Sequence, residues 1–200
     1  MAVGRYLVHI VAVDENNGIG FEDKLLFRIS EDLKQFRRLT LNHVCIAGSK
    51  TLDTMPKLAH RTMVRLTRDL SKYKDNKDGK VFDDVEKVKS DYVLSHYLPR
   101  YIIGGGEVYA STLNDVDVIM MTRIHAKAEN VDTWYPDIFK ERPPKYHTEG
   151  PTYTDEKTGV KYSFHIYGYN KQSMRNFINF KVGRDRIERG QAEAPVVREY

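Results

Sequence analysis

The sequence predicts an α/β fold built on a largely parallel sheet with an antiparallel edge. Apolar runs typical of buried strands alternate along the chain with segments of helical periodicity, the pattern of parallel sheets with crossover helices. Two of these runs pass through glycine directly into a helix. The last two β-like runs, residues 146–153 and 161–169, flank the turn-forming stretch 155–159, which is typical of a hairpin.

The first half of the chain contains three predicted strands and two predicted helices. The strands are short runs of β-branched and apolar residues at 5–13, 43–47 and 62–66. Residues 14–29 form a long connection, and connections of this length without regular structure are usually functional or disordered. Ser30 is the predicted N-cap of a helix that ends near Thr40, with Asp32 in its first turn, where acidic side chains suit the helix dipole. The second helix is stopped by Pro56.

The second half continues the alternation and then changes character. Its predicted elements are a charged loop at 72–80, a short helix at 85–92, a strand at 101–103, a glycine turn at 104–106, a helix at 107–113 and a further strand at 116–124. After about Asn170 the chain becomes polar, charged and weakly periodic. We therefore predict a folded domain over residues 1–170 and an extension over 171–200 that is partly helical near 174–180 and otherwise disordered.

Composition excludes several classes of protein. The 200 residues are 40% hydrophobic and carry a net charge of +4, and no run approaches the ~20 apolar residues of a membrane span. The single cysteine, Cys45, excludes an internal disulfide and fits a reducing compartment. The seven histidines show no metal-ligand spacing, so we expect no metal site. Arginines in the extension alternate with acidic residues, which argues for a solvated tail and against nucleic-acid binding.

One acidic residue lies where an apolar one is expected. Asp32 precedes Phe36 by four residues, so both share the helix face that should be buried. A buried carboxylate at a helix start suits ligand binding, but Asp32 could equally cap the helix or meet a lysine.

Two glycine turns are candidate phosphate sites. Residues 48–51 and 104–106 each follow a strand and open a helix, which places unbonded amides at a helix N-terminus. Neither turn has the spacing of a P-loop or of the dinucleotide fingerprint, and each could be a purely structural turn. Together they suggest one extended phosphorylated ligand that crosses the carboxyl ends of the strands. Thr67 and Arg68, just after a strand, offer a further place for an anion or a plain surface cation.

The order and spacing of these segments resemble the dihydrofolate reductase family. The resemblance runs from about Tyr6 to Tyr169 and includes IVA, NGIG, DLKQF, IAG-KT, TMVRLTR, IIGGGEVY, MMTRI and DTWYPD. It implies a twisted, mostly parallel eight-stranded sheet with an antiparallel C-terminal edge strand and helices on both faces. It also implies a cytoplasmic, monomeric enzyme of one-carbon metabolism that reduces 7,8-dihydrofolate to tetrahydrofolate with NADPH.

The resemblance assigns residues to a substrate site. Asp32 matches the pocket acid that hydrogen-bonds the pterin, and Thr122 matches the threonine of the same network. Arg61 matches the arginine that pairs with the α-carboxylate of the folate glutamate, a task for a planar bidentate donor. The remaining matches on the substrate side are apolar or aromatic: Ile10, Leu33, Phe36, Met55, Leu58, Ile103 and Tyr109.

The resemblance also assigns a cofactor site, with a cis peptide between Gly104 and Gly105. The matching residues are those of the nicotinamide border, the two glycine turns and the 2′-phosphate region: Ala12, Ile19, Gly20, Gly48, Ser49, Lys50, Thr51, Leu66, Thr67, Arg68, Gly104, Gly105, Gly106, Glu107 and Val108. We expect burial to raise the pKa of Asp32 by more than the helix N-terminus lowers it.

Two departures from the family pattern affect the expected chemistry. Leu26 and Phe27 replace the usual Pro-Trp at a catalytic position, and Phe27 has no N–H with which to hold a water near the pterin. Ser49 replaces an arginine that helps hold the 2′-phosphate, and Lys50 and Arg68 could supply that charge.

Two other functions stay open at this point. The first is a reductase of the same fold that acts on a ribosylamino-pyrimidine of the riboflavin pathway, against which Asp32, Phe36 and Arg61 together argue. The second is a binding protein without activity, in which the basic tail contacts RNA or a protein partner. Phe27 is the residue that raises this possibility.

Overall fold

The computed structural model describes residues 6–75, 79–91, 93–94, 99–189 and 198–199. The strands are β1 Leu7–Val13, β2 Gly18–Phe21, β3 Lys24–Leu25, β4 Val44–Gly48, β5 Thr62–Leu66, β6 Gly79–Phe82, β7 Arg100–Gly104, β8 Val118–Ile124, β9 Thr133–Trp134, β10 Tyr146–Thr154, β11 Lys161–Gly168 and β12 Arg198–Glu199. The helices are α1 Ser30–Thr40, α2 Ser49–Thr54, α3 Val85–Ser90, α4 Gly106–Thr112, α5 Ile138–Glu141 and α6 Lys171–Arg189.

The main sheet has the strand order β12-β10-β11-β8-β1-β7-β4-β5-β6. The six strands from β8 to β6 are parallel, whereas β11 runs antiparallel to β8, and β10 antiparallel to β11. The predicted eight-stranded, mostly parallel sheet with an antiparallel C-terminal side is therefore confirmed. The two-residue strand β12 pairs with β10 and adds a ninth strand.

Helices cover both faces of this sheet because side chains of the central strands alternate between two cores. On one face, Val8 and Ile10 of β1 pack with residues of α1 and α6. On the other face, Leu7 and Val11 pack with residues of α3, α4 and α5. Strands buried on both sides read as continuous apolar runs, which is why β1 and β8 could be predicted from the sequence.

The segment after residue 170 contributes to the core. Helix α6 is longer than the predicted stretch 174–180, and Met174 and Phe177 are fully buried on the face that carries α1. The hydroxyl of Tyr6 donates to the carbonyl of Ser173 at 2.8 Å. Helix α6 therefore packs on the sheet, at least over its first half. Residues 190–197, for which disorder was predicted, lie outside the described residues, and the functional division at residue 170 stays a prediction.

Three connections contain strands that the sequence did not predict, and the third of these connections, between β8 and β10, holds β9. The long connection 14–29 holds β2 and β3, which form a second, three-stranded sheet with β9. Strand β6 begins at Gly79, inside the predicted charged loop. These strands are two to four residues long, too short to show a period in the sequence. The predicted helix near Val85 is α3, and Tyr92 lies outside the described residues.

Among the described helices, none combines the length and the apolar character that a membrane span requires.

Candidate active site

Asp32 faces the sheet from the first turn of α1. The Thr122 hydroxyl donates to its Oδ1 at 2.6 Å, and Thr122 is itself buried on β8, opposite Ala12 of β1. No lysine or arginine in the described part of the chain forms an ion pair with this carboxyl. Burial raises the pKa of Asp32, and the Thr122 hydrogen bond opposes that rise. The direction agrees with the expectation from the sequence.

The start of α1 is capped from a distant part of the chain. The prediction of Ser30 as N-cap was wrong: Ser30 is the first helical residue, and Ile29 holds the cap position without a side-chain bond. Instead, the Ser30 N–H donates to Asp155 Oδ1 at 2.8 Å. Asp155 belongs to the turn between β10 and β11, where its Oδ2 accepts from both the N–H and the hydroxyl of Thr158. This network fixes the helix end two residues before Asp32.

A cavity of about 330 Å³ opens beside α1. It is lined by residues of α1 and of the stretch that precedes β5: Leu33, Phe36, Arg37, Leu41, Lys57, Leu58, Ala59, His60 and Arg61. The structure thus brings four of the predicted substrate-site residues into one cavity. Met55 instead lies at the C-cap of α2 and is not among the lining residues.

Arg61 is positioned by hydrogen bonds at the cavity wall. Its Nε donates to the Thr40 hydroxyl at 3.2 Å, and one terminal nitrogen donates to the Ala59 carbonyl at 2.7 Å. Burial lowers the pKa of Arg61, yet a guanidinium keeps its charge in proteins. A fixed cation therefore lies in the wall of a cavity that apolar residues line together with the basic residues Arg37 and Lys57, an arrangement that fits a ligand with a carboxylate at one end.

The remaining predicted substrate-site residues surround the sheet end near Asp32. Tyr109 is buried and donates its hydroxyl to the carbonyl of Ile10 at 2.7 Å. Burial raises the pKa of Tyr109, and the charge of Asp32 adds to that effect. Ile103 is half-buried on β7 in the core beneath α1. Phe27 packs in a third cluster that includes Ile29, Tyr162 and Phe164, so its ring contributes packing at the start of α1.

The two glycine turns lie side by side. Strands β4 and β7 are neighbours whose ends, Gly48 and Gly104, lead directly into α2 and α4. Gly104 has φ of +131°, and its peptide bond to Gly105 is cis, as the resemblance implied. A Cβ at Gly105 would lie 3.0 Å from Thr51 Oγ1, and one at Gly48 would lie 3.0 Å from Val108. Bare backbone is therefore required where the turns approach each other.

A buried hydroxyl in the first of these turns lacks a protein partner. Ser49 Oγ is shielded from solvent and makes no hydrogen bond within the described residues. Buried polar atoms are nearly always satisfied, so this atom indicates a place where a ligand accepts or donates a hydrogen bond.

The charged residues of the predicted cofactor region are engaged with acids. Lys50 Nζ lies 2.8 Å from Asp23 Oδ1, which joins α2 to the turn between β2 and β3. Arg68 pairs with Glu107 at 3.2 Å, and both side chains are about nine-tenths exposed, at 91% and 88%. Such exposed pairs are weak and would exchange readily for a phosphate.

The other predicted cofactor residues lie around these turns. Leu66 ends β5, and the hydroxyl of Thr67 accepts from the N–H of Asp69 at 3.2 Å. Gly106 opens α4, where a Cβ would lie 2.9 Å from Thr133. Ile19 packs on the core beneath β2, and the carbonyl of neighbouring Gly20 accepts from Asp132.

The family model described as dihydrofolate reductase matches residues 6–169. The chain belongs to the dihydrofolate reductase family. This membership confirms the predicted enzyme class, an oxidoreductase that uses NADPH to reduce dihydrofolate.

Individual members of the dihydrofolate reductase family align over most of the chain. The dihydrofolate reductase type 9 of Escherichia coli is 30% identical over 162 residues, which are 78% of this chain and 90% of that protein. The dihydrofolate reductase of Lactococcus lactis is 29% identical over 167 residues, 82% of this chain and 97% of that protein. The structure of Enterococcus faecalis dihydrofolate reductase complexed with NADP(H) and RAB-propyl is similar, with a TM-score of 0.69 and 27% identity over 84% of this chain and 98% of that chain.

Three aspartates that support the candidate site were not predicted from the sequence. Asp14 accepts from the N–H groups of Asn16, Gly18 and Ala128, and Asp132 accepts from Glu22. Both therefore hold the loop that carries β2. Asp155 caps α1. Asp14 had a local signal, because it lies two residues before Asn16 in a turn-forming stretch, and aspartate side chains often accept from the N–H two residues further on.

Proposed function

We propose that this chain reduces 7,8-dihydrofolate to 5,6,7,8-tetrahydrofolate with NADPH and so supplies thymidylate and one-carbon metabolism. The observation that carries the proposal is the hydrogen bond between Asp32 of α1 and Thr122 of β8, because the same helix α1 also lines the cavity that contains Arg61. A pterin with a glutamate tail needs a carboxylate at one end of the site and a cation at the other. Family membership supports the same substrate.

The glycine turns fit the pyrophosphate of NADPH. Bare backbone at Gly48, Gly104 and Gly105 leaves amides accessible, and the unpartnered Ser49 hydroxyl can donate to a phosphate oxygen. We expect Lys50 and Arg68 to supply the positive charge near the 2′-phosphate. When bound, NADPH supplies the hydride that the pterin accepts at C6.

Asp32 is the group that we assign to pterin binding and to protonation. Its carboxylate would accept hydrogen bonds from the pterin amino group and N3, while the Thr122 hydroxyl fixes the orientation of the carboxylate. Burial leaves the ionised carboxylate poorly solvated and therefore raises its pKa. The ionised form gains strongly from a nearby positive charge. A pterin protonated at N5 carries such a charge. Asp32 therefore favours proton uptake at N5, which we expect to occur through water.

Arg61 is assigned to the glutamate tail. Hydrogen bonds to Thr40 and to the Ala59 carbonyl preset the guanidinium plane, so little side-chain entropy is lost when a carboxylate binds. Leu33, Phe36 and Leu58 would contact the rings between the two charged ends.

The decisive experiment measures folate-dependent oxidation of NADPH by the full chain. We expect turnover by the wild type and, for Asp32→Asn, a loss of about 10²–10⁴-fold at neutral pH. That loss should shrink in acid, where solvent protonates the pterin. Asp83→Asn is the matched control, because Asp83 is exposed, pairs with Lys87 and is not among the residues that line the cavity. Absence of folate-dependent oxidation by the wild type, or near-normal turnover by Asp32→Asn at neutral pH, would contradict the proposal.

We also infer a monomer in the cytoplasm. The single cysteine, Cys45, is buried and free, which fits a reducing compartment. Sedimentation of the purified chain would test the monomeric state.

A further inference from the structure

A second cluster of chemically active side chains lies outside this site, on the sheet face opposite α1. It consists of His147 and Glu149 on β10 and His165 on β11. Glu149 lies opposite His165 in the antiparallel register, and His147, two residues before Glu149, points to the same face. One ligand-type atom from each of the three side chains lies within 4.8 Å of the other two.

The two histidines meet through ring nitrogens. His147 Nε2 lies 2.9 Å from His165 Nδ1, and the ring planes are inclined by only 5°. The ring centroids are 5.2 Å apart, and this distance exceeds the separation of the two nitrogens by about twice the distance from a ring centre to a ring nitrogen. The rings therefore lie edge to edge in one plane and share a single proton between two lone-pair positions.

Neighbouring side chains hold His165 in place. Its Nε2 lies 2.8 Å from Ser163 Oγ, and Ser163 in turn lies 3.0 Å from His125 Nε2. When Nε2 carries the proton and donates to Ser163, the lone pair of His165 is on Nδ1 and points into the cluster. Metal-bound histidines typically donate their second ring N–H in this way.

We propose that His147, Glu149 and His165 bind a divalent transition-metal ion of the Zn²⁺ or Cu²⁺ class. His147 Nε2, His165 Nδ1 and a Glu149 oxygen are the three protein ligands, and water completes the coordination. Bond lengths of about 2.0–2.1 Å in a tetrahedral site place ligand atoms roughly 3.3 Å apart. The separations from His165 Nδ1 are 2.9 Å to His147 Nε2 and 3.8 Å to Glu149 Oε2, on either side of that value. After a tilt of the rings the metal takes the place of the shared proton, which passes to solvent while His147 takes up a proton at Nδ1 and stays neutral.

The electrostatic setting permits this exchange. Burial, together with neighbouring His147, Arg123 and His125, lowers the pKa of His165 to about 4. The positive charge of Arg123 opposes a cation, whereas the carboxylate of Glu149 attracts it. Both histidines are buried, and Glu149, with 47% of its side chain exposed, gives the ion a route from solvent.

Sequence spacing could not reveal this cluster and predicted no metal. The ligands are separated by two and sixteen residues, and only the pairing of β10 with β11 brings them together. The extension also pairs here, since Arg198 of β12 lies opposite His147 in the register.

The test is titration of the chelator-treated full chain with ZnCl₂ by calorimetry, together with electron paramagnetic resonance of the Cu²⁺-loaded protein. We expect one saturable site per chain and nitrogen hyperfine splitting from two imidazoles. Ser163→Ala should weaken Zn²⁺ binding about 10–100-fold, the usual effect of losing a partner of a ligand, and His147→Gln should weaken it at least as much.

The exposed Glu149 provides a variant that should not disturb folding. Glu149→Gln should bind Zn²⁺ more weakly than Glu156→Gln, the matched control on the exposed turn of the same hairpin. Equal affinity in these two variants, unchanged affinity in His147→Gln, or no saturable binding by the wild type would overturn the proposal.

Discussion

Phe177 provides the sharpest test of whether the segment after residue 170 belongs to the folded body. Its ring is fully buried and packs with Val8, Tyr101 and Met120 of the sheet. Removal of a buried phenylalanine ring by substitution with alanine costs about 3–5 kcal/mol. For a chain of 200 residues, each kcal/mol lowers Tm by about 2–4 °C, so Phe177→Ala should lower Tm by roughly 6–20 °C.

The control lies two residues further along the same helix. Asn179 is exposed, and Asn179→Ala should not lower Tm and can raise it slightly, because alanine has a higher helix propensity than asparagine. Thermal unfolding followed by circular dichroism measures both variants. Below its melting temperature, Phe177→Ala should retain the turnover of the wild type, since the ring lies outside the cavity. If Phe177→Ala melted together with Asn179→Ala, α6 would not be part of the cooperative core.

The remaining predictions concern the site. Burial raises the pKa of Asp32, so the protonated side chain stabilises the fold below the ordinary carboxyl pKa, and this contribution is lost as pH rises through the raised pKa. Asp32→Asn should therefore raise Tm at neutral pH but not in acid. The hydrogen bond from the Ser30 N–H lowers the pKa of Asp155, so the ionised Asp155 stabilises the fold above the ordinary carboxyl pKa, and this contribution is lost as pH falls through the lowered pKa. Asp155→Ala should therefore lower Tm and turnover at neutral pH, and the Tm difference should vanish in acid. Ser49→Ala should raise the KM for NADPH roughly fivefold, the equivalent of a hydrogen bond worth about 1 kcal/mol, while apo stability holds or rises. Arg61→Lys should raise the KM for dihydrofolate about 10- to 100-fold with kcat retained, and an equal loss in kcat would show a different role.

The sequence was informative wherever burial imposed a pattern. Strands such as β1 and β8 are buried on both faces and therefore read as apolar runs. The glycines at 104 and 105 could be recognised because the backbone needs them: Gly104 has φ of +131°, and a Cβ at Gly105 would lie 3.0 Å from Thr51 Oγ1. The strands β2, β3 and β9 gave no such signal, since each has four residues or fewer and few buried side chains. Helix α6 was underestimated because its polar majority hides a short buried stripe around Phe177.

The position of Asp32 shows why local pattern identifies a candidate residue but not a site. The helix that carries Asp32 is held at both ends by side chains from elsewhere: Asp155 binds its first N–H, and Arg61 binds the Thr40 hydroxyl at its last residue. Arg61 also faces the cavity, so its position and that of Asp32 are coupled through the length of α1. If Asp32 and Arg61 bind the two ends of the substrate as we propose, the helix α1 sets the distance between these two charges. A substrate would then have to match that distance, which would give the site selectivity for length as well as for charge.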